Sequence, residues 1–142
     1  MDYPNSMIKG IANDSFIDDD GSPSASLFSF QPREHIQRPD GYLEESINWY
    51  DDEGALTHIL EQLKEDGDPK FKIGCAILLK EDIDQIRRRP FVQSYLEYER
   101  RPIDENPYHG NLLLSDKVAK SVKRKISATI ALFGVSEVIQ RE

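Results

Sequence analysis

The chain has 142 residues, of which 38% are hydrophobic and 31% are charged, and its formal net charge is −8 at pH 7. This length fits a single domain, and its apolar runs, such as 76–79 and 111–114, are far shorter than the roughly 18 residues that span a bilayer. The acidic balance argues against general binding to polyanions, so we expect no membrane association and no broad affinity for nucleic acid.

The N-terminal residues show neither a basic start followed by an apolar stretch nor a small-residue cleavage site, so we expect a cytoplasmic protein without a secretory signal. A single cysteine, Cys75, rules out an internal disulfide and is interpreted as a small core residue.

Residues 1–40 carry seven acidic and three basic residues, and Ser, Pro and Gly interrupt every apolar period. Such a composition predicts a flexible, disordered acidic arm. Apolar islands such as 27–30 leave three uses of the arm open: an inert tail, docking on a partner, or docking back on the parent domain.

The domain itself is predicted to span 41–142. A first strand is indicated at 46–50 by side chains typical of β-structure. A helix follows, because apolar residues recur at three-and-four spacing until Gly67 and Pro69 end the pattern; they are Leu56, Ile59, Leu60 and Leu63. Strict alternation over 71–79 predicts a central strand.

The second half of the domain is predicted to contain a short helix at 81–88, a hairpin and a long final helix. The stretch 91–101 is compatible with helix or strand, and we favour a strand from about Ser94 that pairs with 111–114 across a turn-rich loop. Ser115 and Asp116 are predicted to cap the final helix, which runs to about Phe133.

These elements define an α+β fold. We expect a small, largely antiparallel four-stranded sheet with helices packed on one face, preceded by the flexible N-terminal arm.

Motifs for metal, cofactor or catalysis are missing from the sequence. His35, His58 and His109 are far apart and the lone thiol has no close partner, so we predict no metal site. Phosphate-binding glycine loops and nucleophile motifs are absent as well, which predicts no cofactor and no enzymatic activity.

The leading hypothesis is a non-catalytic interaction or regulatory protein. Its partner-binding surface is placed at the hairpin edge 100–111, with the arm as a second contact, because Arg, Tyr and His side chains anchor protein interfaces. The residues predicted to bind the partner are Arg100, Arg101, Asn106, Tyr108 and His109.

Two alternatives stay open. A nucleic-acid-binding module would use a basic ridge on the final helix, formed by Lys117, Lys120, Lys123 and Arg124. A small hydrolase or transferase would require His109, Asp104 and Glu97 to converge on a concave pocket.

Overall fold

The computed structural model describes residues 5–31, 41–50, 53–93 and 95–141. Over these ranges six strands form one curled antiparallel sheet with three α-helices. The strands are β1 (Ser6–Ile11), β2 (Tyr42–Tyr50), β3 (Gly74–Leu79), β4 (Leu96–Arg100), β5 (His109–Ser115) and β6 (Val135–Gln140). The helices are α1 (Glu53–Glu61), α2 (Lys80–Arg87) and α3 (Lys120–Thr129), with 3₁₀ helices at Asp14–Phe16 and Ala25–Phe28 and a π-helical turn at Ile130–Gly134.

The strand order is β4-β5-β2-β1-β3-β6. Strand β1 lies at the centre, where Met7 pairs with Trp49 of β2 on one side and with Leu78 of β3 on the other. In the described part of the chain, β1 is the strand that joins the half-sheet β2-β5-β4 to the half-sheet β3-β6.

One face of the sheet, which we call the closed face, carries the larger apolar cluster. Side chains alternate between the two faces of a strand, so every second residue contributes to it. The sheet supplies Met7, Ile11, Ile47, Ala76, Leu78, Leu96, Leu112 and Leu114, and the covering segments supply Leu27, Phe28, Phe30, Ile83, Ile86, Ile126 and Ile130. All of these side chains are buried, so this face holds the main core.

The opposite face, which we call the open face, is covered over part of its area by α1. Ala55 and Ile59 of α1 pack on Ile8, Cys75 and Ile77 in a second, smaller cluster. Over β2 and β5 the same face presents polar residues instead, and these are Glu44, Ser46, Asn48, His109 and Asn111.

Strands β1 and β2 stop pairing beyond Ile8 and Asn48. Lys9 fills this split, since its Nζ donates to the Ser46 carbonyl at 3.1 Å and forms an ion pair with Glu45. Burial raises the pKa of the Glu45 carboxyl, and the Lys9 charge opposes that shift. The Lys9 side chain therefore connects β1 to β2 at the point where their backbone pairing has stopped.

The predicted four-stranded sheet with helices on one face is wrong. Strands β1 and β6 were missed, and α1 packs on the open face while α2 and α3 pack on the closed face. Lys9 and Gly10 interrupt the apolar alternation of β1, and β6 is an edge strand whose side chains are exposed or half-buried. Neither strand therefore has the sequence pattern of a buried strand.

The predicted flexible arm is also wrong for residues 5–31, which contain β1 and two 3₁₀ helices. Phe28 and Phe30 are fully buried, and their carbonyls accept hydrogen bonds from Ser127 Oγ at 2.6 Å and Lys123 Nζ at 3.2 Å. Of the three uses left open, this segment docks on its own domain. The rest of the predicted arm, 1–4 and 32–40, lies outside the described residues.

The strand interpretation of 91–101 is confirmed by β4 for Leu96–Arg100, whereas 91–93 form a turn. The strand predicted at 71–79 is confirmed by β3 from Gly74 onward, whereas 71–73 are not in a strand. The predicted cap of the final helix is wrong. Ser115 ends β5, the Asp116 amide donates to the Gly41 carbonyl at 2.8 Å, and α3 begins only at Lys120 without a side-chain cap. Because Asp116 is bonded to Gly41, next to β2, the helix begins four residues after Asp116.

Gly134 ends the π-helical turn and lets it approach α2. A Cβ at this position would lie 2.8 Å from Ile83 Cδ1, so a larger residue would force the Ile83 side chain to move. None of the helices seen in the described ranges combines the length and the apolar character that crossing a membrane requires.

Candidate functional site: a cleft beside the β4–β5 hairpin

The loop between β4 and β5 folds on itself as a tight turn. Ile103 and Asn106 exchange two backbone hydrogen bonds of 3.1 and 3.0 Å, which leaves Asp104 and Glu105 at the exposed tip. At the base of the loop the Arg101 amide donates to the His109 carbonyl at 3.0 Å. The loop is thus fixed at both ends by backbone pairing.

Asn106 connects this loop to the sheet. Its side chain is 5% exposed, its Oδ1 accepts from the Tyr108 amide at 3.0 Å, and its Nδ2 donates to Asn48 Oδ1 on β2. Asparagine suits this position because its amide satisfies backbone groups two residues away and also reaches across the sheet.

His109 is oriented by its own loop. Its Nδ1 lies 2.9 Å from the Arg101 carbonyl oxygen. A carbonyl oxygen only accepts, so Nδ1 carries the proton in this bond and Nε2 is the acceptor of the neutral ring.

A polar network continues along the open face beside His109. Asn111 is fully buried, and its Nδ2 donates to Glu99 Oε1 at 2.8 Å. Arg101 lies between two carboxylates, with its Nη1 3.7 Å from Glu44 Oε1 and 3.9 Å from Glu99 Oε1. Asn111 Oδ1 has no hydrogen-bond partner, which is uncommon for a buried acceptor.

The loop, β2 and the segment after α1 enclose a cleft of about 520 Å³, which we call the hairpin cleft. Two apolar side chains at the cleft are well exposed, Leu63 at 62% and Ile103 at 43%. The lining residues are Ser46, Asn48, Gln62, Leu63, Lys70, Phe71, Ile103, Glu105, Asn106 and His109.

Phe71 lines the cleft because β1 has a glycine beneath it. A Cβ on Gly10 would lie 2.3 Å from the Phe71 ring, so any larger residue would displace the ring. The N-terminal strand therefore shapes the cleft without lining it.

The structure brings together part of the predicted partner-binding set. Asn106 and His109 line the cleft, and Arg101 belongs to the adjacent polar network. Tyr108 packs toward α1, where its ring centroid lies 5.7 Å from that of His58. Arg100 lies on β4, half-buried, outside the cleft lining.

Sequence reasoning missed the contributions of β2 and of residues 62–71. Glu44, Ser46 and Asn48 alternate along β2 and so share one strand face, although Glu45 interrupts the apolar residues between them. A strand pattern does not show which loop will lie over that face.

The three side chains of the hydrolase hypothesis are not brought together. Glu97 Oε2 pairs with Arg87 Nη2 at 2.9 Å, and Asp104 lies at the exposed tip of the turn outside the cleft lining. Only His109 of the three lines the cleft. Among the described residues no three His, Cys, Asp or Glu side chains form a group that could hold a metal ion.

Of the four residues of the predicted basic ridge, one contributes to the packing of the domain and three are exposed. Lys117 precedes α3, and Lys123 is half-buried with its Nζ bonded to the Phe30 carbonyl. Lys120 and Arg124 are exposed on the helix.

Comparison with known proteins gives no relative from which a function could be transferred. No protein-family model matches the chain, and no curated protein or solved structure matches it. A function for this protein therefore has to be inferred from the geometry of its described residues.

Proposed function

We propose that this protein is a non-catalytic interaction protein whose hairpin cleft binds an extended segment of a partner protein. The observation that carries the proposal is the pair of buried carboxamides, Asn48 and Asn106, beside the exposed apolar side chains of Leu63 and Ile103.

Carboxamides suit a peptide ligand because each offers both a donor and an acceptor, as a peptide group does. In the described part of the chain, Asn48 Nδ2 donates to no acceptor, and the Nδ1 bond of His109 leaves Nε2 for a ligand. The cleft thus has hydrogen-bonding atoms to spare for a partner backbone.

The apolar side chains supply the affinity. Leu63, Ile103 and Phe71 line one cleft, and burial of a fully exposed side chain of this size contributes about 1.5 to 3 kcal/mol. A partner segment with an apolar residue flanked by backbone in extended conformation meets both requirements.

The separation of Glu97 and Asp104 from His109 supports the non-catalytic side of the proposal. General acid–base catalysis needs its groups within hydrogen-bond reach of one substrate position, and Glu97 is instead paired with Arg87.

The test is quantitative affinity capture from cell lysate with the full chain at physiological salt. Leu63→Asp places a charge in the cleft, and Leu132→Asp is the matched control because Leu132 is also well exposed, at 72%, and lies outside the cleft. We expect a protein that is captured by wild type and by Leu132→Asp, with at least about tenfold less on Leu63→Asp and on Ile103→Asp.

The proposal fails if the cleft variants capture the same proteins as wild type. It also fails if Leu132→Asp reduces capture as much as Leu63→Asp, because the effect would then follow from any added surface charge.

A further inference from the structure

The segments around α2 and α3 are basic although the chain is acidic. Residues 85–95 and 117–136 lack Asp and Glu and together carry eight Lys and Arg residues, in a chain of net charge −8. Eight of the eighteen Lys and Arg residues therefore lie in these two segments.

The fold brings these two segments together. The Arg89 guanidinium lies 4.6 Å from the centre of the Phe133 ring, and Lys125 Nζ lies 4.2 Å from the centre of the Phe91 ring. Each contact joins a cation of one segment to an aromatic ring of the other. We call the combined area the cationic surface; it consists of Arg88, Arg89, Lys120, Arg124, Lys125 and Phe133.

The cations of this surface are available to a ligand. Within the described residues none of the five pairs with a carboxylate, and four of them are exposed. Arg87, the neighbour of Arg88, shows the contrast because Asp84 and Glu97 neutralise it. Phe133 is 53% exposed although it is large and apolar.

We infer that the cationic surface binds single-stranded nucleic acid, which is a function separate from the hairpin cleft. Lys120 and Arg124 are four residues apart on α3, about 6 Å along the helix, and form a linear row that can follow a phosphodiester backbone. Phe133 lies in the π-helical turn that follows α3, and with Arg89 against its ring it offers a flat platform on which a base stacks.

The linear arrangement and the exposed ring favour a nucleic acid over an acidic protein segment. Carboxylates of a protein partner would satisfy the charges, but they would leave the Phe133 ring without a stacking partner. An acidic peptide is therefore the competing outcome of the test.

The experiment measures fluorescence anisotropy of labelled 12-residue oligo(dT), oligo(U) and oligo(Glu) with the full-length protein from 50 to 200 mM salt. With about four phosphate contacts we expect oligonucleotide affinity to fall roughly 50-fold over this range. Arg124→Glu with Lys125→Glu should abolish most of the binding. Phe133→Ala should weaken it at least about fivefold and leave the salt slope unchanged, because stacking carries no charge.

The matched control is Lys64→Glu with Lys72→Glu, which changes the net charge equally at two exposed lysines elsewhere. Binding close to wild type is expected for this control. The inference is overturned if oligo(Glu) binds as tightly as the oligonucleotides, if the control loses as much as the surface variant, or if no binding occurs at 50 mM salt. Circular dichroism of each variant verifies that the fold is intact.

Discussion

The two faces of the sheet differ in what covers them. The closed face buries apolar side chains under α2, α3 and the segment 25–30, whereas the open face is covered by α1 over β1 and β3 and carries polar groups over β2 and β5. Burial on the closed face stabilises the fold, and the polar half of the open face has hydrogen-bonding atoms left over. The polar half of the open face, over β2 and β5, is therefore the better place to look for a functional site.

The strongest test of this contrast removes the N-terminal residues from the closed face. A chain that starts at Gly41 loses Met7, Leu27, Phe28 and Phe30, all buried, together with the strand that joins the two half-sheets. Four such side chains contribute roughly 1.5 to 3 kcal/mol each, which approaches the whole stability of a typical domain. We expect no cooperative thermal transition by circular dichroism.

A cooperative transition in that shortened chain would reverse the conclusion. It would establish that residues 41–142 fold on their own, as the sequence predicts.

A smaller effect is expected on the open face from Asn106→Ala. The change leaves Asn48 Oδ1 without the Asn106 amide and removes the acceptor of the Tyr108 amide, at a cost of about 1 to 3 kcal/mol. Urea denaturation measures the loss. Asn106→Asp is the comparison, since it keeps the acceptor for the Tyr108 amide but replaces the donor to Asn48 Oδ1 with a carboxylate oxygen and adds a buried negative charge.

If Asn106→Asp is as stable as wild type, the hydrogen bond from Asn106 to Asn48 contributes little to the free energy of unfolding, and it does not hold the cleft open. If both variants lose stability, the cross-sheet contact is part of what shapes the cleft.

The smallest predicted effect lies at the edge strand β4. Burial works to raise the pKa of Asp84, but hydrogen bonds from Tyr98 Oη, at 2.6 Å, and from Lys80 outweigh it and hold that pKa below its usual value. A carboxyl with a lowered pKa stabilises the fold above its unfolded pKa, near 4, and loses that contribution as the pH falls through its folded pKa.

Tyr98→Phe should therefore cost about 1 kcal/mol at pH 7, and the difference from wild type should shrink toward pH 3 as Asp84 becomes protonated. Melting temperatures of both proteins between pH 3 and pH 7 measure it. A difference that is constant with pH would mean that the Tyr98 hydroxyl acts through another contact, such as the Lys80 carbonyl at 3.3 Å, and not through Asp84.

The parts of the fold that the sequence predicts are those with a regular period. Alternation indicated β3, and turn residues between two apolar runs indicated the β4–β5 hairpin. Three-and-four spacing indicated α1, but the predicted end was wrong, because α1 ends at Glu61 and Leu63 lies beyond it, exposed. The segment 25–30 is a 3₁₀ helix followed by an extended stretch, so the buried Phe28 and Phe30 share no period that a sequence pattern reveals.

The candidate site was predicted for the residues of one loop only. Asn106 and His109 lie in a turn-rich segment that is visible in the sequence, whereas Asn48, Leu63 and Phe71 come from elements up to 58 residues distant. A cleft formed by separate segments depends on tertiary packing, and no local pattern encodes it.

The central position of β1 also bears on how the protein is made. Of the six strands described, β1 is synthesised first and pairs with partners that end at Tyr50 and Leu79, whereas β6, at one edge of the sheet, is synthesised after the other five. Pairings so distant in sequence slow folding, because a long stretch of nascent chain has to be ordered before they form. Until Leu79 has been synthesised, β1 cannot complete its pairing with β3. During this interval the apolar residues of β1 are the surface that a chaperone would cover.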